Sequence, residues 1–434
     1  MDARRSQRLF DPLFTTETMR GIFSDHGRLQ AMLDFEAALA RAEARAGLVP
    51  AAAAAAIGAQ CRAELFDVDA LAAVAAQAGN SAIPLVRQLT RLVAARDAEA
   101  ARYVHWGATS QDVMDTGLVL QLCSALTAID ADLARLSSAL ATLAKVHAQT
   151  PLAGRTWLQQ GPPVTLGLKA AGFLSAIERH RIRLAEVRGR VATLQFGGAV
   201  GTLAALGERG MDVASALAEE LQLALPDVPW HAQRDRLAEV ATTLGLVVGT
   251  LGKLARDVSL LMQTEVAEAF EPSAPGRGGS STMPHKRNPV GAVRARASAR
   301  SARAAAGVLL EAMAGEHERA AGAWHSEWRA LSEALAGAGG AAWALHEGLS
   351  GLTVDPERMR ANLDLTGGAL LAEHVALLTG ERDAVERALR EGRPLADLLR
   401  GDLGLGDEEI ARALDPAHYL GAADAFIDRA LELA

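Results

Sequence analysis

Residues 278–289 read Gly-Gly-Ser-Ser-Thr-Met-Pro-His-Lys-Arg-Asn-Pro. The string sets two adjacent hydroxyls (Ser280, Ser281), an ammonium (Lys286) and a carboxamide (Asn288) beside three glycines, Gly276, Gly278 and Gly279. Glycine opens backbone conformations closed to other residues, while Pro284 and Pro289 fix φ on either side of the lysine and remove two donors. Such a loop can close over a ligand, and its donors suit a carboxylate or a developing enolate. A second cluster spans residues 105–116, His-Trp-Gly-Ala-Thr-Ser-Gln-Asp-Val-Met-Asp-Thr. Thr109-Ser110, with Asp112 just ahead of a helical pattern, reads as a helix N-terminus, where hydroxyls and free N–H groups make an anion site. A plain helix cap fits those two residues nearly as well. A third string, residues 154–159, is Gly-Arg-Thr-Trp-Leu-Gln. The indole of Trp157 has one N–H donor and nothing that titrates usefully.

Helices must position these groups. The chain has 434 residues, room for two or three domains, and half of them are hydrophobic while only 4% are aromatic; Ala and Leu dominate, which favours helix. Val119, Leu122, Leu126, Ile129, Leu133, Leu136, Leu140 and Leu143 recur at 3-4 spacing. Leu237, Val240, Leu244, Val247, Leu251, Leu254, Val258 and Leu261 do the same, and so do Leu166, Ala170, Phe173, Ile177, His180, Leu184, Val187, Val191 and Leu194. That spacing predicts three long helices with one apolar face each, and helices of such length need partners along their whole length, as in a bundle. His180, on an apolar stripe, reads as a satisfied core histidine. Further helices are expected over Ser24–Ala46, after Pro50, over Ala82–Ala95, and at roughly 290–313 and 326–350, with Pro356 opening another. No strand-like alternation is present. The expectation is an all-α chain with a long central helical bundle, divided into 1–104, 105–352 and 353–434.

Composition removes several classes. No run approaches 18 charge-free apolar residues, so a membrane span is not expected, and Met1–Arg8 is charged without a following apolar segment, unlike a signal peptide. Two cysteines, Cys61 and Cys123, suit a reducing compartment, and no Cys/His cluster has metal-ligand spacing. A net charge of −8 argues against nucleic acid as a partner and leaves any anionic substrate to be held by local positive groups.

The 278–289 string resembles the signature of the fumarase/aspartase superfamily, whose members eliminate from, or add to, a carbon β to a carboxylate through an aci-carboxylate intermediate. The resemblance implies that Ser280 moves the proton at the α-carbon and that Lys286 and Asn288 hold a substrate carboxylate. A serine hydroxyl needs nearby positive charge or donors for that work, and Lys286 is six residues away. The 105–116 string resembles the first family signature, which implies carboxylate contact by Thr109 and Ser110; His105 stands where adenylosuccinate lyases carry a substrate-binding histidine. The 154–159 string resembles the second, but the histidine that normally follows the threonine is Trp157. Adenylosuccinate lyases also carry a His-Asp pair where this chain has Asn80 and Ser81. Both histidines of an amine-releasing lyase are therefore missing.

Together with Met19–Asp25, Phe270-Glu271-Pro272, Glu316–Arg319, Trp324–Trp328 and Asp415–Gly421, these departures make nearly the whole chain similar to the cycloisomerase branch of that superfamily. That resemblance implies a three-domain fumarase/aspartase-like fold and a homotetramer whose shared active sites combine loops of three subunits. It also implies a cytoplasmic enzyme with no metal or organic cofactor and a small polycarboxylate substrate. The implied reaction is an intramolecular addition of a carboxylate across a C=C bond of a carboxylated muconate, within protocatechuate breakdown by the β-ketoadipate pathway. Thr156, Gln159, Arg20 and Ser281 are further substrate contacts on this reading, and Trp157 is an apolar wall. The alternatives are an adenylosuccinate-type lyase and a non-catalytic structural protein on the same scaffold. Between His374 and Leu395 the chain is shorter than the resemblance leads one to expect.

Overall fold

The three apolar stripes fall on three unbroken helices, Ser110–Val146, Leu166–Val191 and Asp235–Leu261, save that Leu194 lies past the end of the second, in a computed structural model that describes residues 9–274, 276–279 and 282–434. Val119 through Leu140 of the first stripe and Leu237 through Val258 of the stripe on Asp235–Leu261 are buried at every turn of the 3-4 pattern. On Leu166–Val191 the core position is Leu174 rather than Phe173, a one-residue correction. His180 is buried with Nε2 2.8 Å from Thr250 Oγ1, a satisfied core histidine. Two more long helices, Val290–Glu311 and Ala323–Leu349, complete the set. By length and hydropathy Ser110–Val146 and Asp235–Leu261 could reach across a bilayer, yet 56% and 50% of their apolar windows are buried inside the protein, as in the core helices of a bundle.

Contacts divide the chain into two compact units. The first comprises Met1–Ala131, Ile182–Gly249 and Ala297–Ala341. Its core is built on the helix Asp25–Arg45, started by Ser24, whose Oγ accepts from Gly27 N–H at 3.0 Å. Leu29, Leu33, Phe35 and Leu39 point from it into a cluster with Leu85, Leu89, Val93, Val113, Phe196 and Leu217. The alanine-rich helix Ala51–Gly58 and the helix Gly210–Leu221 pack on the same helix, small side chains permitting close approach.

The second unit comprises Asp132–Arg181, Thr250–Arg296 and Ala342–Ala434. Asp355 caps the helix Pro356–Asp364 by accepting from Arg358 N–H at 2.9 Å, with Pro356 in the first turn as expected. Short helices after residue 370, among them Ala372–Thr379, Arg382–Arg390 and Leu395–Gly401, enclose a small core of Val375, Val385, Leu395, Leu398, Leu399 and Ile410.

One expectation fails here. Among the described residues four short strands are present: β1 (Pro151–Thr156) pairs antiparallel with β2 (Gln159–Thr165), and β3 (Ala269–Phe270) with β4 (Thr353–Val354). The first hairpin escapes a period-two reading because a register shift falls between Ala153 and Gly154 and because Pro162 and Pro163 occupy β2. A two-stranded ribbon has only edge strands, where proline is tolerated. The architecture remains helical.

Candidate active site

In the first unit, the loop before Ser110–Val146 is tied down by one carboxylate. Asp112 accepts from Thr109 N–H (3.1 Å), Gln195 Nε2 (3.1 Å), Gly197 N–H (3.0 Å) and Gly198 N–H (2.9 Å), and is fully buried. Burial pushes its carboxyl up to about 6 against those four donors. The contact back to Thr109 is a capping arrangement, so the Thr109-Ser110 corner is held by the side chain that the sequence placed beside it.

One turn on, Asp115 accepts from Arg234 Nη1 (2.6 Å) and Nη2 (3.1 Å) and from Trp324 Nε1 (3.0 Å). Arg234 also pairs with Glu327 at 2.5 Å, and all three charged groups are buried. Burial works against the guanidinium's charge, but Asp115 and Glu327 outweigh it and raise its pKa. Gln111 donates to Asp115 Oδ2 and to the carbonyl of His231, both at 3.0 Å, and accepts from Arg319, which also donates to the carbonyls of Gly198 (2.7 Å) and Ala199 (2.9 Å). The sequence reading missed Asp115, Arg234 and Glu327 as a unit. No local pattern marks them: Arg234 stands just before the helix Asp235–Leu261 among polar neighbours, and the meeting of the three depends on long-range packing. His105, in the left-handed region at φ 59°, sets Nδ1 2.6 Å from Glu36 Oε1. Arg20 lies on the short helix Glu17–Ile22, its Nε buried without a hydrogen-bond partner.

In the second unit, Thr156, Trp157, Leu158 and Gln159 form the exposed tip of the β1–β2 hairpin. Trp157 and Leu158 both have positive φ, 53° and 65°, where a two-residue hairpin turn ordinarily calls for Asn or Gly. Trp157 is 97% exposed, so within its own chain it walls nothing. The hairpin is clamped lower down: Arg155 makes a bidentate pair with buried Glu268 (2.6 and 2.9 Å), Asn362 donates to the same carboxylate at 2.8 Å, and Gln160 donates to Asn362 O at 2.9 Å.

The signature loop is likewise braced at its base. Glu271 is buried and caps the helix Val290–Glu311, accepting from Gly291 N–H (2.8 Å) and Ala292 N–H (2.7 Å). Pro289 precedes that helix and offers no side-chain cap, so the free N–H groups need a distant acceptor; this is the signal by which Glu271 could have been found. Arg287 donates to Glu271 O at 2.8 Å and lies over the Phe270 ring. Asn288 donates from its backbone N–H (2.8 Å) and from Nδ2 (3.0 Å) to Gly278 O, where Gly278 takes φ 72°. Lys286 is exposed. Ser280 and Ser281 lie outside the described residues.

The chain thus presents braced loops bearing exposed donors, an arrangement able to grip a small polyanion. The family model described as lyase matches residues 14–303. A 3-carboxy-cis,cis-muconate cycloisomerase from Pseudomonas aeruginosa is 57% identical, over 98% of this chain and 96% of that protein. The crystal structure of a 3-carboxy-cis,cis-muconate lactonizing enzyme from Pseudomonas putida is similar at a TM-score of 0.93 and 54% identity, covering 98% of each chain. A nitrosuccinate lyase from Streptomyces davaonensis is 44% identical over 98% of this chain and 94% of that protein. With this coverage and a shared helical architecture, the chain belongs to the lyase family, as an enzyme on the fumarase/aspartase-type fold.

Proposed function

We propose that this enzyme converts 3-carboxy-cis,cis-muconate to a carboxymuconolactone, as a step in protocatechuate breakdown. The observation that carries the reading is Trp157 at the hairpin tip, with no titratable group anywhere in residues 156–159. Lactonisation needs none there. One substrate carboxylate attacks C4 of the same molecule, the C=C electron pair moves onto the neighbouring carbon and its carboxylate, and one proton is delivered to that carbon. The nucleophile is already ionised and no amine departs. Well-oriented intramolecular reactions of this kind gain on the order of 7–11 kcal/mol from proximity. The relatives named for this reaction support the same choice.

On this reading Ser280 delivers the proton, Lys286 and Asn288 hold one carboxylate and stabilise the aci-carboxylate, and Thr109 with Ser110 holds another. His105, Arg20, Thr156, Gln159 and Ser281 are secondary contacts. Trp157 becomes an apolar wall for a site completed by other subunits. A homotetramer fits the apolar side chains left on the long helices, such as Ile182 (58% exposed), Leu246 (55%) and Val293 (55%). The division into 1–104, 105–352 and 353–434, a cytoplasmic location and cofactor-free turnover belong to the same reading.

The test is ultraviolet loss of the conjugated diene on addition of 3-carboxy-cis,cis-muconate, with nitrosuccinate, adenylosuccinate and argininosuccinate as parallel arms and a chelator present. Turnover of the muconate alone is expected. Trp157→Phe should retain lactonisation with a KM raised by about tenfold or less, since only volume and one N–H are lost. Cleavage of a succinate substrate with no loss of diene absorbance would overturn the assignment and favour the nitrosuccinate or amine-releasing lyases.

A further inference from the structure

We infer that Glu36 is a positioning residue for the reaction, holding the His105 ring so that its Nε2–H grips one substrate carboxylate. Glu36 sits mid-helix on Asp25–Arg45 with its side chain fully buried. A carboxylate is costly to bury unless a strong partner meets it. That partner is His105, whose Nδ1 lies 2.6 Å from Oε1, while Oε2 has no hydrogen-bond partner. Binding through Nδ1 orients the ring and leaves Nε2–H as the donor for a ligand. The His105 side chain keeps 16% exposure, and it stands four residues before the Thr109-Ser110 corner. Its backbone takes the left-handed region at φ 59°, and the bond to Glu36 ties its ring.

The surrounding charges agree. Burial pulls the imidazole down, but the charge and hydrogen bond of Glu36 outweigh it, with Asp112 adding, so His105 keeps its proton above the ordinary histidine range. Two turns on, buried Glu43 is pushed up to about 9 by burial and by Glu36, and so adds no competing charge near neutrality. Cys61, facing Glu36 from the neighbouring segment, is pushed up by burial and then by Glu36 and Asp34, with Arg41 opposing, and is neutral as well.

This inference rests on the proposed lactonisation, so its test has one arm that needs no turnover. KM for 3-carboxy-cis,cis-muconate and the calorimetric Kd of tricarballylate, an unreactive tricarboxylate, are measured from about pH 6 to about pH 8.5, a range bracketing an unperturbed histidine. Wild type should stay flat through neutrality. Glu36→Gln should match it near pH 6 and weaken by about tenfold near pH 8, with kcat little changed, as expected when a charge-assisted hydrogen bond is lost. His105→Gln should be weak at every pH. A Glu36→Gln profile that tracks wild type, or a His105→Gln protein with wild-type KM, overturns the inference; should Glu36→Gln fail to fold, Glu36→Asp, which shortens the reach to His105, decides it by the same comparison with wild type. A pH shift in tricarballylate binding without muconate turnover removes the substrate assignment and keeps the dyad. Absence of both turnover and binding removes both.

Discussion

The Asp112–Asp115 corner of the first unit and the loop and hairpin tip of the second hold their polar groups in opposite ways. In the corner, Asp112, Asp115, Arg234 and Glu327 are all buried and all hydrogen-bonded to one another or to backbone N–H groups. In the second unit the buried, paired groups are one step removed: Glu268 and Glu271 anchor the bases, whereas Trp157 and Lys286 stand exposed beyond them. Buried charges are tolerated only when fully partnered, so the corner is rigid and its side chains are occupied. Exposed donors such as Lys286 stand at the tips, free of such pairing duties. The lesson is a division of labour between residues that hold the backbone and residues left free to act.

Three substitutions can break or sharpen that division. The largest effect is expected from Ser280→Ala, which deletes the proposed proton donor: turnover should fall by about 10²–10⁴-fold with the melting temperature unchanged. Steady-state kinetics beside calorimetric melting checks this. Retained turnover in Ser280→Ala together with loss in Ser281→Ala would shift the assignment by one residue, and a large drop in melting temperature would mean that the loop serves stability as well.

Next is Arg234→Met, which leaves Asp115 and Glu327 buried without their common partner. Removing one member of a buried ion pair typically costs about 3–5 kcal/mol, read by denaturant or thermal unfolding. An unfolding midpoint equal to wild type would show that the corner does not carry the stability assigned to it.

The smallest effect, and one of opposite sign, is expected at Glu43. Its carboxyl is fully buried with neither oxygen hydrogen-bonded, and it is pushed up to about 9 from the ordinary value of 4.5. The folded state therefore binds this proton more tightly than the unfolded state. Stability from this group is complete below the unfolded value and declines as pH rises from about 4.5 toward about 9. Glu43→Met should remove that decline and stabilise the protein by about 1–3 kcal/mol near neutral pH, the cost of an unpartnered buried polar group. Unfolding midpoints at acid and neutral pH measure it; equal loss of stability at both would show that Glu43 has a partner in the folded protein.

Much of this was legible in the chain because its signals are local. Three-four spacing marked the long helices, Ser24 and Pro356 marked helix starts, and the Ser-Ser-Thr-Met-Pro-His-Lys-Arg-Asn string pointed to the family. The β1–β2 hairpin was not legible, since its glycines, prolines and register shift erase alternation. Nor could Trp157 be placed: its residue type shows what it cannot do, and only the fold sets it at the tip of a strained turn.

By itself, then, the sequence determined helical content, the positions of the breaks, and the inventory of donors available for a polycarboxylate. These depend on side-chain periodicity, turn chemistry and ionisation, all properties of neighbouring residues. Tertiary structure alone decided which charges meet. Arg234 finds Asp115 and Glu327, and Glu36 finds His105, at chain separations of 119, 93 and 69 residues. A buried carboxylate is tolerable only where the fold brings a partner to it, and no local pattern encodes that meeting.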